Sequence, residues 1–117
     1  GISCDIFIVV ALAHSESPTY NNEECSGAGA CGTWQFMPDT FATYAEPGAD
    51  RFDQLDSAKA ACRMVSDLGL DTETSETGFT ANFAGLDGSP VWNRHTGQGQ
   101  YTWQLQKWLK QEMGILP

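Results

Sequence analysis

The clearest helical pattern in the chain is the stretch SAKAACRMVSDLG, residues 57–69. Its apolar side chains recur with the 3.6-residue period of an α-helix, at Ala58, Ala61, Cys62, Val65 and Leu68. Asp56 or Ser57 suits the N-cap of this helix, and Gly69 suits its C-terminal stop. Because no segment of the sequence shows the sustained alternation typical of strands, we predict a mainly α fold.

Four other segments flank this helix. Residues 38–44 begin with Pro-Asp-Thr, which predicts a short helix, since proline is tolerated in a first turn and aspartate favours the positive end of the helix dipole. Residues 79–84 are compatible with another short helix. A stretch punctuated by Gly and Pro runs through Gly99, and after it an apolar stripe predicts a last helix that ends at Gly114; the stripe is Leu105, Trp108, Leu109 and Met113. Residues 4–15 are apolar on every side, so periodicity does not decide between a strand and a buried helix.

The four cysteines, Cys4, Cys25, Cys31 and Cys62, have neither a CxxC motif nor the spacing of a zinc site. They predict two disulfides in an oxidising compartment, for which three pairings are possible. We prefer Cys25–Cys31, which closes a small Gly-rich loop, and Cys4–Cys62, which ties the first segment to the central helix. The chain-entropy model assigns about 2 and about 4 kcal/mol to these bonds.

The composition is that of a single packed domain, residues 1–117. Hydrophobic residues make up 41% of the chain and charged residues 18%, which argues against disorder. Fifteen acids against six Lys and Arg give a formal net charge of −9, which repels phosphate backbones, so we do not expect a nucleic-acid partner. The apolar run at residues 6–13 is too short to span a bilayer. No signal peptide is visible, and we interpret Gly1 as a mature or trimmed N-terminus.

Glu16 is the first candidate for catalysis. It follows the apolar segment 4–15, and a carboxyl half buried beside hydrophobic side chains has a raised pKa that lets it donate a proton near neutral pH. The alternative for an isolated Glu before Pro18 is a solvated helix end. His14 and His95 are too isolated to indicate a metal site, and the chain has no Gly-x-Ser-x-Gly frame of a serine hydrolase.

Three motifs follow one another along the first two thirds of the chain. Glu16-Ser17 comes after an apolar segment, GTWQFMPDT follows at residues 32–40, and Arg51-Phe52-Asp53 leads into the Ala-rich helix. Their order and spacing resemble the lysozyme-like superfamily that holds soluble lytic transglycosylases and goose-type lysozymes. In that family a helix ends in Glu-Ser, a Gly-Leu-Met-Gln-Leu-Met-Pro-x-Thr type segment follows, and an Arg-x-Asp pair precedes an Ala-rich helix. For the Tyr-Asn-Ala-Gly-like segment of the family there are two alternative candidates here, residues 82–85 or residues 92–97.

The resemblance implies that Glu16 donates a proton to a glycosidic oxygen. Trp34 and Phe36 would supply an apolar wall that keeps the carboxyl protonated, and Gln35 would hydrogen-bond the substrate or that carboxyl. Packing in the core is the alternative for both aromatic rings. Three further candidates for substrate binding are Tyr20, Asn82 and Trp92.

A hydrolase also requires a group that places water or stabilises the transition state. Asp39, Asp50 and Asp53 are the candidates by proximity in sequence. Structural alternatives are a helix N-terminal position for Asp39 and an ion pair with Arg51 for Asp53. Lytic transglycosylases manage with one Glu, because the 6-hydroxyl of the sugar attacks the anomeric carbon, so mechanisms with one and with two carboxylates are both open.

We therefore expect a secreted lysozyme-like enzyme, a muramidase that hydrolyses the β-1,4 bond between N-acetylmuramic acid and N-acetylglucosamine in peptidoglycan. Two disulfides and the lack of a lipid-attachment cysteine favour hydrolysis over the anhydro-forming transglycosylase reaction. Another alternative is a chitosanase or chitinase-like glycosidase, and the acidic composition favours the chitosanase because chitosan is cationic. A non-catalytic sugar-binding protein on this scaffold is a third alternative. We expect a monomer that binds glycan strands, does not insert into a membrane and needs no metal or cofactor.

Overall fold

Five α-helices make up most of the chain that the computed structural model describes, which comprises residues 4–16, 24–84 and 94–117. The helices are α1 (Ile6–Glu16), α2 (Pro38–Tyr44), α3 (Gln54–Asp67), α4 (Glu76–Ala84) and α5 (Arg94–Glu112). Within these residues, β-type pairing is limited to two isolated bridges, from Cys31 to Cys25 and to Phe36. The predicted mainly α fold is confirmed.

Most of the segment 4–15, which periodicity left undecided, is helical, since α1 begins at Ile6. Asp5 directly precedes α1, and its carboxylate accepts a hydrogen bond at 3.0 Å from the backbone N–H of Phe7 in the first turn of the helix. α1 packs against both α3 and α5, so its sequence needs no wide polar face. Its buried residues are Ile8, Val9, Ala11, Leu12 and Ala13. None of the helices in the described ranges combines the length and the apolar character needed to cross a membrane.

The central helix α3 begins earlier than its apolar pattern indicates. Asp53 is the N-cap, and its carboxylate accepts the N–H of Asp56 at 2.9 Å. The predicted cap at Asp56 or Ser57 is therefore wrong, because both lie in the first turns of the helix and buried Ser57 donates its hydroxyl to the carbonyl of Arg51. At the other end Gly69 follows the C-cap with φ of 70°, which agrees with the predicted stop.

The last helix, α5, begins earlier than predicted, and two glycines lie within its first turns. Gly97 and Gly99 suggest chain breaks in the sequence, yet both are helical. A Cβ on buried Gly99 would lie 3.0 Å from the Cβ of Phe83 in α4. The missing side chain therefore lets α4 and α5 approach closely, which offsets the conformational entropy that glycine loses in a helix.

The face of α5 that meets the core also differs from the predicted stripe. Trp108 and Met113 are exposed, so the stripe is wrong at these two positions. Trp103 packs against the core instead, with its ring centroid 5.5 Å from that of Phe79 in α4. Thr102 and Gln106 are also buried on this side, which is why apolar periodicity alone misplaced the buried face.

Both predicted disulfides are present. Cys4–Cys62 joins the residues before α1 to the middle of α3, with 5.6 Å between the Cα atoms. Cys25–Cys31 closes the loop before α2, with 4.0 Å between the Cα atoms. The first bond thus holds the start of α1 against α3, and the second closes a loop whose last residue, Cys31, is buried in the core.

Candidate active site

The carboxyl end of α1 meets α5 at Glu16. The amide Nε2 of Gln98 in α5 donates to Glu16 Oε1 at 2.5 Å and to Ser15 Oγ at 3.2 Å. Ser15 in turn donates its hydroxyl to the carbonyl of Leu12 at 2.8 Å. Glu16, Ser15 and Gln98 are all half-buried, so the predicted proton donor lies at the boundary between the core and solvent.

Antiparallel packing of α1 and α5 builds this boundary. Close to Glu16, the His14 and Tyr101 rings stack with 6.1 Å between centroids and 23° between planes. At the far end of the helix pair, Lys110 forms an ion pair with Asp5. Tyr101 is 48% exposed, so its ring lies open to solvent one helical turn from Gln98. The surface beside Glu16 therefore combines a carboxyl, an amide and an aromatic ring.

Trp34 and Phe36 lie in the core, at 8% and 3% exposure. The indole Nε1 of Trp34 donates to the carbonyl of Val9 in α1 at 3.0 Å, and the Phe36 ring meets Phe41 of α2 edge-on at 5.7 Å. Val9 lies about two helical turns before Glu16. These contacts support the packing alternative for both rings, which fix the loop before α2 against α1.

Gln35 is held within its own loop. Its backbone adopts φ of 50°, and its side-chain amide donates to the carbonyls of Gly32 at 2.8 Å and Glu24 at 3.1 Å. Arg51 braces the same loop, because its guanidinium donates to the carbonyls of Gly29 at 3.0 Å and Phe36 at 2.9 Å. The Gln of the second motif and the Arg of the third therefore shape the backbone of residues 24–36.

The three candidate aspartates occupy structural positions. Asp39 is exposed in the first turn of α2, where it suits the positive end of the helix. Asp50 accepts the N–H of Phe52 at 2.9 Å, and Asp53 caps α3. The position of Asp39 supports its structural alternative, whereas Asp53 has a different structural role, as a helix cap, from the ion pair with Arg51 that the sequence suggested.

The remaining predicted substrate-binding residues are spread more widely. Asn82 lies in α4, where its amide donates to Glu73 Oε1 at 2.8 Å. Tyr20 and Trp92 lie outside the described residues. Sequence reasoning did not identify Gln98 and Tyr101, although a helix begun at residue 94 places them three positions apart on one face.

The described ranges contain no group of three or more His, Cys, Asp or Glu side chains suited to a metal ion. The family model described as the transglycosylase SLT domain matches residues 3–86, which include α1 to α4 and Glu16. No curated protein and no solved structure matches the chain. Since the matched segment spans well over half of the sequence and holds all three motifs in order, the chain belongs to the SLT transglycosylase domain family, peptidoglycan-acting enzymes of the lysozyme-like superfamily.

Proposed function

We propose that this protein cleaves the β-1,4 bond between N-acetylmuramic acid and N-acetylglucosamine in peptidoglycan, with Glu16 as the proton donor. The position of Glu16 carries the proposal: it is the last residue of α1, inside the segment that matches the family, and it is half-buried. Partial burial favours the protonated form of a carboxyl, while partial exposure lets that carboxyl reach a substrate oxygen.

The chemistry needs one carboxyl that first gives and then takes a proton. Protonated Glu16 donates to the glycosidic oxygen as the bond from that oxygen to the anomeric carbon breaks, and N-acetylglucosamine leaves with a free 4-hydroxyl. Ionised Glu16 then accepts a proton from the nucleophile that attacks the anomeric carbon. The nucleophile is the 6-hydroxyl of the same muramic acid in a transglycosylase and a water molecule in a muramidase.

The transglycosylase reaction is the leading form of the proposal. Its nucleophile belongs to the substrate, so a second catalytic carboxylate is not required. The structural positions of Asp39 and Asp53 support this choice, as does the family match. Hydrolysis by a secreted muramidase, which the sequence favoured, is the second candidate, and the two disulfides support an oxidising, extracellular compartment for either enzyme.

The products of purified peptidoglycan distinguish the two reactions. Mass spectrometry of the released muropeptides should show anhydro-muramic ends, lighter by one water than the reducing ends that a hydrolase leaves. Reducing ends alone would identify a muramidase. Release of soluble fragments from chitosan but none from peptidoglycan would contradict both forms and support the chitosanase alternative.

The first prediction concerns Glu16→Gln. The amide keeps the shape of the side chain but has no acidic proton, so turnover should fall by at least about 100-fold. Asp39→Asn and Asp53→Asn are the matched controls and should keep most of the activity, once circular dichroism has shown that all three variants are folded. Near wild-type turnover in Glu16→Gln would refute the assigned role, and a loss of similar size in either aspartate variant would identify a second catalytic carboxylate.

A further inference from the structure

The amide of Gln98 has one orientation that satisfies its partners. Ser15 uses its hydroxyl proton on the carbonyl of Leu12, so the Ser15 oxygen faces Gln98 as an acceptor. Glu16 Oε1 is the second acceptor on the same side. Only the NH₂ group of Gln98, not its carbonyl oxygen, can serve both.

The backbone that carries Gln98 is tightly packed. The next residue, Gly99, is buried so closely against Phe83 that an added Cβ would lie 3.0 Å from the Cβ of that ring-bearing side chain. Thr102, fully buried one turn later, donates its hydroxyl to the carbonyl of Gln98 at 2.8 Å. The amide of Gln98 therefore projects from a rigid part of α5.

We propose that Gln98 is a positioning residue for the Glu16 carboxyl, an inference that rests on the proposed function of Glu16. An N–H donor binds the carboxyl oxygen that carries no proton, so its bond to Oε1 leaves the acidic proton on Oε2. The amide is neutral and donates whether Glu16 is protonated or ionised. It therefore holds one orientation of the carboxyl through both proton transfers without the strong preference for the ionised form that a Lys or Arg would impose.

The contact also assigns a role to a helix beyond the family segment. The family model ends at residue 86, whereas α5 begins at Arg94. Gln98 thus brings the C-terminal helix into the site, and the family match alone could not have indicated it. Correct docking of α5 becomes a condition for full activity.

The test compares two glutamines of α5 that make the same kind of bond. Gln98→Leu removes the donor to Glu16, while Gln104→Leu removes a donor that binds Glu76 Oε2 of α4 at 2.6 Å. We expect Gln98→Leu to lower kcat by about 10- to 100-fold, since small misplacements of a reacting group have effects of this size, and to leave KM within about twofold. Gln104→Leu should leave both constants near those of the wild type. Equal losses in the two variants would show that α5 docking, rather than carboxyl positioning, is responsible, and would overturn the proposal.

A second variant keeps the test decisive if Gln98→Leu does not fold. Gln98→Glu retains the length of the side chain but at neutral pH replaces the donor by a charge that repels an ionised Glu16, so kcat should fall at least as far. Wild-type kcat in Gln98→Glu would overturn the proposal. Glu16→Gln separates this inference from the proposed function: retained activity in Glu16→Gln refutes both, whereas an inactive Glu16→Gln beside a fully active Gln98→Leu refutes only the role of Gln98.

Discussion

At the scale of single residues, the contact of Tyr44 between two helices makes the stability of the fold depend on pH. Its hydroxyl, at the end of α2, donates to Asp67 Oδ2 at the end of α3, at 2.9 Å. Burial, this hydrogen bond and the negative charge of Asp67 all raise the pKa of Tyr44 above its ordinary value of 10.0. A raised pKa means that the fold favours the neutral phenol. Its contribution to stability is therefore complete below pH 10.0 and is lost as the pH rises through the higher pKa of the folded state.

The prediction is that Asp67→Asn lowers the pKa of Tyr44 toward its ordinary value, because the negative charge is removed. The chain has three tyrosines, so the Tyr44 curve is obtained by subtracting the ultraviolet titration of Tyr44→Phe from that of each protein. A Tyr44 that titrates at an unchanged pH in Asp67→Asn would show that Asp67 does not act on the phenol.

The residues of the site differ in how far the sequence could predict them. Glu16 could be predicted because the short Glu-Ser motif directly follows an apolar segment. The roles of Trp34 and Gln35 were harder to predict, since the same residue types serve for substrate binding or for packing. The structural role becomes visible only in the contacts of Trp34 with Val9 and of Gln35 with its own loop. Gln98 could not be found, because its partner Glu16 is 82 positions away and no periodicity reports such a contact.

At the scale of helices, the sequence predicted the start of α2 and the end of α3 best, because proline and an acidic residue mark the first and a glycine marks the second. It failed at the start of α5, where Gly99 has a packing role against Phe83 rather than a breaking one. The N-cap of α3 also shifted to Asp53, because aspartates lie at both 53 and 56 and only the hydrogen bond shows which one caps. Local signals thus specify a helix end when the sequence offers only one residue suited to the capping position.

The prediction at this scale concerns the two disulfides. Replacing Cys4 and Cys62 by Ser should lower the free energy of unfolding by about 4 kcal/mol, because this bond closes a long loop between α1 and α3, whereas replacing Cys25 and Cys31 should lower it by about 2 kcal/mol. Urea unfolding of the two double variants measures the difference. An equal or larger loss for the Cys25 and Cys31 variant would mean that the loop before α2 contributes native contacts that the entropy model leaves out.

At the scale of the whole molecule, charge opposes the binding of an anionic wall. The formal net charge is −9, with only six Lys and Arg side chains. Several of these cations are engaged locally: Arg63 pairs with Glu46 at 2.8 Å, Lys110 pairs with Asp5, and Arg51 binds two carbonyls. Arg63, followed by Lys59, also lowers the pKa of Glu46, so that carboxylate stays charged to lower pH than usual. The excess of negative charge therefore dominates the long-range electrostatic interaction with an anionic wall fragment, and this interaction is repulsive.

The last prediction follows from this repulsion. Raising the salt concentration from about 10 to about 150 mM shortens the screening length from about 30 to about 8 Å, so at pH 7 the rate on anionic peptidoglycan should rise or stay constant, through a lower KM rather than a higher kcat. Glu112→Lys changes an exposed residue at the end of α5 and moves the net charge of −9 by two charges toward zero, so the gain from salt should shrink in that variant. Initial rates on purified peptidoglycan across this salt range provide the measurement. A steep loss of wild-type activity with salt would mean that attraction by a local cluster of cations, rather than net charge, governs the encounter with the wall.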